Sequence, residues 1–356
     1  MPNYKPLTTE EYETLHILLS NLLSTKQFPV IIPSEAILGI EAIAAGIAAP
    51  GHTILNIVTG PYGTLFGKWL ARGGTEVVEI QTSFDDVVTV DEVAAAIEKY
   101  KPCALSFVQA EAVTGGSNPT AEILKLTRQY NLITVSDSVS AIGAEPVLMD
   151  EWGIDFVAIG AQKALAGPNG ISAVGISERG WAFLEANPQA PRNSILSLLD
   201  LKLPEHDPFS GRIPANISVL EARALIAALK LAEEEGLPAV IQRHRLASSA
   251  VVAGLKALGL EPWQQKERSY SPLVTTIRIP KAGGDGLSIK RPVGIVAPGD
   301  GELNGKLLRI NHFGSNASQD SVEQAILTLA ELTDQVPGGA IAAGRLVWEG
   351  ERNDGK

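Results

Sequence analysis

The sequence predicts an α/β protein with a mainly parallel sheet in a large domain, residues 1–235, and a smaller α+β domain at residues 236–335. Three observations predict this. Short apolar runs alternate with amphipathic stretches from about residue 54 to residue 177, which is the pattern of helices packed on a parallel sheet. The rhythm changes after residue 177. The 356 residues also amount to about two domains at roughly 150 residues each.

Taken in order, residues 1–30 form an N-terminal arm. The runs ILNIV (54–58), EVVEI (76–80), ALSFV (104–108), LITVSD (132–137), FVAIG (156–160) and SAVGIS (172–177) read as strands, apolar on both faces as buried strands are. Residues 90–100 and 120–130 repeat apolar residues at helical spacing, with charges on the other face. Residues 187–214, rich in Pro and polar groups, make a long irregular connection, and such loops are usually functional or lie at interfaces. Two long helices follow at 218–235 and 237–258, then strand-like VTTIRI (274–279) and LLRINHF (307–313), and a helix at 321–332. The tail from residue 336, with its Gly pairs and charged end, is expected to be peripheral and frayed.

Composition narrows the function. Lys plus Arg is 29 against 40 for Asp plus Glu, a net charge of −11, so nothing draws the chain generally to nucleic acid or anionic membranes. The most apolar stretch, residues 36–49, is shorter than a membrane span and contains Glu41. The N-terminus lacks the basic-then-apolar order of a signal peptide. The lone Cys103 excludes an internal disulfide and a cysteine metal site. The expectation is a soluble, cytoplasmic protein.

The chemistry concentrates in residues 136–170. Asp137 ends one apolar strand, and Lys163 lies just beyond another, 26 residues later. Parallel strand ends can be neighbours, so an anion and a cation meet at one rim, where ligands of such sheets bind. Spacing alone allows a plain rim salt bridge. It also allows a lysine that forms a Schiff base with pyridoxal phosphate (PLP), beside a carboxylate that keeps the pyridine nitrogen protonated.

The segment DSVSAIGAEP, then WGID, then GAQKALAGPNG resembles the class V aminotransferases, fold type I PLP enzymes, and within them the alanine–glyoxylate and serine–glyoxylate group. IVTGPYG (57–63) is similar to the family's N-G-x-[WY]-G turn, and LLRINHFGSNAS (307–318) to its R-I-G-x-x-G-x-x-A segment. FPVIIPSEAILGIEA (28–42) and ANPQAPRNSILSLLD (186–200) resemble the pyridoxamine–pyruvate branch, which uses free pyridoxamine as a substrate. The resemblance spans about residues 30–335. It implies a homodimer and transfer of an amino group between a small amino acid and a 2-oxo acid, with PLP as cofactor. Lys163 matches the Schiff-base lysine and Asp137 the partner of the ring nitrogen. Tyr62 matches the aromatic on one ring face, Val139 packs under the ring, Gln162 and Thr114 lie near the cofactor, and Arg309 matches the clamp for the substrate carboxylate.

Two departures stand out. Where the family presents small residues to a phosphate at the start of a helix, this sequence reads Ser34-Glu35-Ala36, and a carboxylate beside a phosphate is repulsive. Arg212, in FSGRIP (209–214), lies where the family's partner subunit offers Tyr and Thr to the phosphate, and an arginine there can restore that contact. The family's P-G-P-type opening segment is the second difference, since the sequence starts after its place. The expected function is PLP-dependent amino transfer. The alternatives are free pyridoxamine or pyridoxal as true substrate, lyase or racemase chemistry on the same fold, and a non-catalytic binding protein.

Overall fold

A computed structural model describes residues 5–204, 208–209, 217–279 and 289–354. The strands are β1 (Val30–Ile32), β2 (Thr53–Val58), β3 (Glu76–Gln81), β4 (Ala104–Val108), β5 (Ala110–Glu111), β6 (Gly116–Ser117), β7 (Ile133–Asp137), β8 (Phe156–Gly160), β9 (Ser172–Ile176), β10 (Thr275–Arg278), β11 (Val296–Pro298) and β12 (Leu307–Ile310). The helices are α1 (Thr9–Leu22), α2 (Ala36–Ile47), α3 (Pro61–Arg72), α4 (Val90–Tyr100), α5 (Thr120–Gln129), α6 (Met149–Trp152), α7 (Glu178–Ala186), α8 (Val219–Glu235), α9 (Leu237–Ala257), α10 (Gln319–Leu332) and α11 (Gly338–Asp354).

Seven strands form one sheet in the order β1-β9-β8-β7-β4-β2-β3. The pairs from β3 through β8 are parallel, whereas β9 runs antiparallel to β8 and β1 antiparallel to β9. A parallel return needs a crossover of about a dozen residues, usually helical. The stretch from β8 to β9 holds no helix, so the chain turns back antiparallel. β1 has no counterpart in the sequence reading, because three apolar residues are too few to show a period. β3 lies at the sheet edge and is only partly covered, which corrects the expectation that this run is apolar on both faces.

Two apolar layers cover the sheet. One contains Leu15 and Leu19 of α1, Val93 of α4, Ile123 of α5 and Leu225 of α8; the other contains Ile43 of α2, Phe66 of α3 and Leu184 of α7. Local signals start these helices where they do. Thr8 and Glu11 form a capping box on α1, and Thr89 and Glu92 form one on α4. A second core gathers α9, α10 and α11 around the antiparallel sheet β10-β12-β11. α11 corrects the reading of a frayed tail: its Ala340 and Trp348 are buried in that core against α9. Among the described residues no helix is long and apolar enough to cross a membrane.

Candidate active site

β7 and β8 are neighbours in register, with Asp137 opposite Ala158, so the carboxyl end of β7 lies beside the strand that leads into Lys163. The Lys163 amine Nζ donates to Ser140 Oγ at 2.7 Å and lies 5.9 Å from the centre of the Tyr62 ring. Burial holds its pKa below the ordinary lysine range, against the pull of Asp137, Glu111 and Glu35; the Arg309 charge adds to the lowering. Asp137 Oδ1 accepts from the Val139 backbone N–H at 3.1 Å, a local turn that aims the carboxylate and places Val139 in the buried layer below it. Burial raises Asp137 to about 6, with Lys163 opposing the rise.

Tyr62 is supplied by the first turn of α3. Gly60 precedes the helix in extended conformation and Pro61 opens it, the place where a missing N–H costs nothing. Burial and the nearby carboxyls Asp137, Glu111, Glu35 and Asp300 raise the Tyr62 phenol.

Ser34, Glu35 and Ala36 stand at the start of α2. Glu35 Oε2 accepts from Ile37 N at 2.8 Å, and Glu35 Oε1 accepts from Gln162 Nε2 at 2.6 Å. The Ser34 carbonyl accepts from Ser172 Oγ at 2.9 Å, and Ala36 is buried. The structure thus brings Lys163, Asp137, Tyr62, Val139, Gln162 and the Ser34–Ala36 turn to one rim. Arg309 of β12 reaches the same neighbourhood. Its Nη1 pairs with Asp300 at 2.8 Å, and its Nε donates to the Pro298 carbonyl at 3.3 Å.

Thr114 is placed differently from a simple site hydroxyl. Its carbonyl accepts from Gln264 Nε2 at 3.0 Å and Thr276 Oγ1 at 2.8 Å, tying the β5–β6 turn to β10. Its own hydroxyl is buried without a partner among the described residues. Arg212 lies outside the described residues.

Three participants escaped the sequence reading: Ser140, Asp300 and Glu111. Ser140 follows Asp137 by three residues, within a run already singled out. Asp300 lies in an irregular turn with no signal of its own. Glu111 carried one, an acid three residues after the buried strand ALSFV, where an unpartnered charge is costly.

These residues fit the ring of pyridoxal. A carboxylate waits for the ring nitrogen, an amine of lowered pKa for the aldehyde, and an aromatic for one face. One buried polar atom at this rim, Gln162 Oε1, has no protein partner among the described residues and can accept from a hydroxyl of the ring. The phosphate end fits less well, because the Glu35 carboxylate already caps α2. A cleft of about 1340 Å³ lies elsewhere, lined by Glu145 and by Arg245 and Lys256 of α9.

The family described as aminotransferase class-V matches residues 3–283. The pyridoxamine–pyruvate transaminase of Mesorhizobium japonicum is 33% identical over 352 residues, covering 96% of this chain and 86% of its own. The alanine–glyoxylate aminotransferase of Drosophila melanogaster is 28% identical over 82% of this chain and 76% of its own. The crystal structure of the pyridoxamine–pyruvate aminotransferase from Mesorhizobium loti superposes with a TM-score of 0.91 at 29% identity, covering 99% of this chain and 92% of that one.

Proposed function

Because the chain belongs to the class V aminotransferases, PLP-dependent enzymes of amino-group transfer, we propose that it moves an amino group between a small amino acid and a 2-oxo acid such as pyruvate or glyoxylate, with Lys163 as its Schiff-base lysine. One observation carries this reading: a buried amine of lowered pKa stands beside the carboxylate that ends the adjoining parallel strand. Pyridoxal supplies, when bound, an aldehyde for that amine and a ring that accepts the electron pair released at the substrate Cα. The protein's own groups do the rest. Burial favours the neutral form of the Lys163 amine, which suits it to take a proton and return it. Asp137 holds the proton on the ring nitrogen, and in a buried setting this pairing is far stronger than in water. Tyr62 would cover one face of the ring and Val139 would pack under the other. Arg309 offers its remaining N–H groups to the substrate carboxylate, a match of shape as well as charge.

Glu35 favours a second reading, in which unphosphorylated pyridoxamine or pyridoxal is the substrate and pyruvate the partner. A carboxylate on the α2 N-terminus makes the favourable contacts a phosphate would otherwise make there, and repels a second anion. The name of the Mesorhizobium relative agrees with this reading. We also take the molecule to be a cytoplasmic homodimer. Ile195 in the long connection and Leu220 and Leu231 on α8 are large apolar side chains exposed on the isolated chain, in keeping with a covering partner.

Lys163→Ala tests the main reading. Amino transfer should fall by at least about 100-fold, the scale of a lost proton-transfer group, and the visible absorbance formed with pyridoxal or its phosphate should vanish. Circular dichroism should stay native. Turnover at the wild-type rate would remove Lys163 from the chemistry.

A further inference from the structure

Glu111 is an acid that the proposed chemistry leaves unused, and it is 1% exposed. Its setting begins with a deficiency in α3. The first N–H groups of a helix need acceptors, and the residue before this one is Gly60, which has no side chain to offer. Glu111, about fifty residues later at the end of β5, supplies the acceptor. Its Oε1 accepts from Tyr62 N at 3.2 Å and from Gly63 N at 3.4 Å. Gly60 makes room for it: a Cβ there would lie 2.3 Å from the Glu111 carboxyl carbon. The Tyr62 held in this turn is the residue whose ring faces the Lys163 amine.

We propose that Glu111 is a positioning residue of this site, a helix cap delivered from across the chain that fixes the first turn of α3 and with it the Tyr62 ring beside Lys163. The inference deepens the proposed function and rests on its placement of the pyridoxal ring against Tyr62. Glu111 Oε2 has no partner among the described residues, which suits a carboxylic acid that keeps its proton. The titratable groups facing it are Asp137, Lys163 and Tyr62. Burial first, then the Asp137 charge, raises Glu111 to about 8, while Lys163 and the two backbone N–H groups oppose the rise. At neutral pH Glu111 is therefore the neutral member of the pair and Asp137 the anion. Above about 8 a second negative charge appears beside Asp137 and Tyr62.

The test compares Glu111→Ala, Glu111→Gln and Gly60→Ala, measuring the pyridoxal dissociation constant without an amino donor and the pH profile of turnover. Glu111→Ala strands the Tyr62 and Gly63 N–H groups, the second of them buried, so pyridoxal binding should weaken by about tenfold or more. Glu111→Gln keeps an oxygen for both N–H groups and should recover most of that loss, while its profile should lose the alkaline inflection expected of wild type near pH 8. Gly60→Ala should reproduce the alanine defect by expelling the carboxyl, and so covers the case where Glu111→Ala does not fold. Wild-type binding in Glu111→Ala or Gly60→Ala overturns the proposal, as does a glutamine variant as poor as alanine or one that keeps the inflection. Lys163→Ala serves as the separate control: if it retains the pyridoxal absorbance, the parent reading fails whatever the Glu111 variants do.

Discussion

Glu35 uses both carboxylate oxygens inside the protein, one on Ile37 N and one on Gln162 Nε2, so an incoming phosphate would have to compete with a charge already satisfied. Removing that charge reverses the preference. Glu35→Gly should strengthen binding of pyridoxal phosphate relative to pyridoxal by about tenfold or more, because a like charge is removed and the Ile37 N–H is freed. Titration of both forms against wild type and variant gives the ratio. An unchanged ratio would show that Glu35 does not face the phosphate end. The sequence already marked Glu35 and Gln162 as candidates from their places in two separate motifs. Their contact, 127 positions apart in the chain, was not legible, because nothing local in either motif encodes the other.

The junction between α9 and the turn after β12 seats the lysine loop. His244 of α9 donates from Nδ1 to the Val240 carbonyl at 2.7 Å and accepts at Nε2 from Gly314 N at 3.0 Å, which assigns the neutral tautomer. Gly314, at φ +61°, packs so closely that a Cβ would lie 2.8 Å from the Lys163 carbonyl oxygen. Arg243 fixes the Gly314 carbonyl at 2.6 Å. Burial lowers His244 to about 4, well below its ordinary 6.5. A lowered histidine pKa means that the unfolded chain takes up a proton the folded one refuses. The stability this group contributes is therefore intact above about 6.5 and is lost as pH falls toward 4. Denaturant unfolding should show wild type losing stability across that window more steeply than His244→Gln, with the gap between them shrinking by about 1–2 kcal/mol. Parallel pH curves for the two proteins would remove His244 from this role. His16 and His312 are lowered in the same direction by burial, so the variant difference, not the wild-type slope alone, isolates His244.

At the scale of the molecule, three of the exposed large apolar side chains lie between residues 195 and 231. Ile195 is 73% exposed in the connection after α7, while Leu220 and Leu231 on α8 are 52% and 65% exposed. The same connection is anchored at its start, where Asn187 Nδ2 donates to the Gly46 and Ala48 carbonyls at the end of α2. A rigid base carrying exposed apolar side chains is suited to a symmetric contact between two copies. Sedimentation should therefore give a dimer, and Ile195→Asp with Leu231→Asp should shift it toward monomer while circular dichroism stays native. A wild-type protein that sediments as a fully active monomer would contradict the assembly.

Sequence by itself determined the strand–helix alternation of residues 54–177 and put Asp137 and Lys163 at strand ends that could be neighbours. Burial periodicity and strand ends are local features, and parallel strands joined by helices leave few ways to arrange them. The GAQKALAGPNG segment and the turn around Tyr62 pointed to their chemistry through resemblance to the class V family. Tertiary structure decided the rest. Only the fold shows that β9 runs antiparallel, that three residues of β1 find a place beside it, and that a Gly-flanked tail becomes a helix by burying Trp348 against α9. Glu111 is the clearest case: its sequence shows an acid after a buried strand, but whether that acid is a salt-bridge partner, a surface charge or the cap of a distant helix depends on what the chain brings beside it. Pairings of that kind are set by contacts between segments far apart in sequence, and no periodicity within either segment carries them.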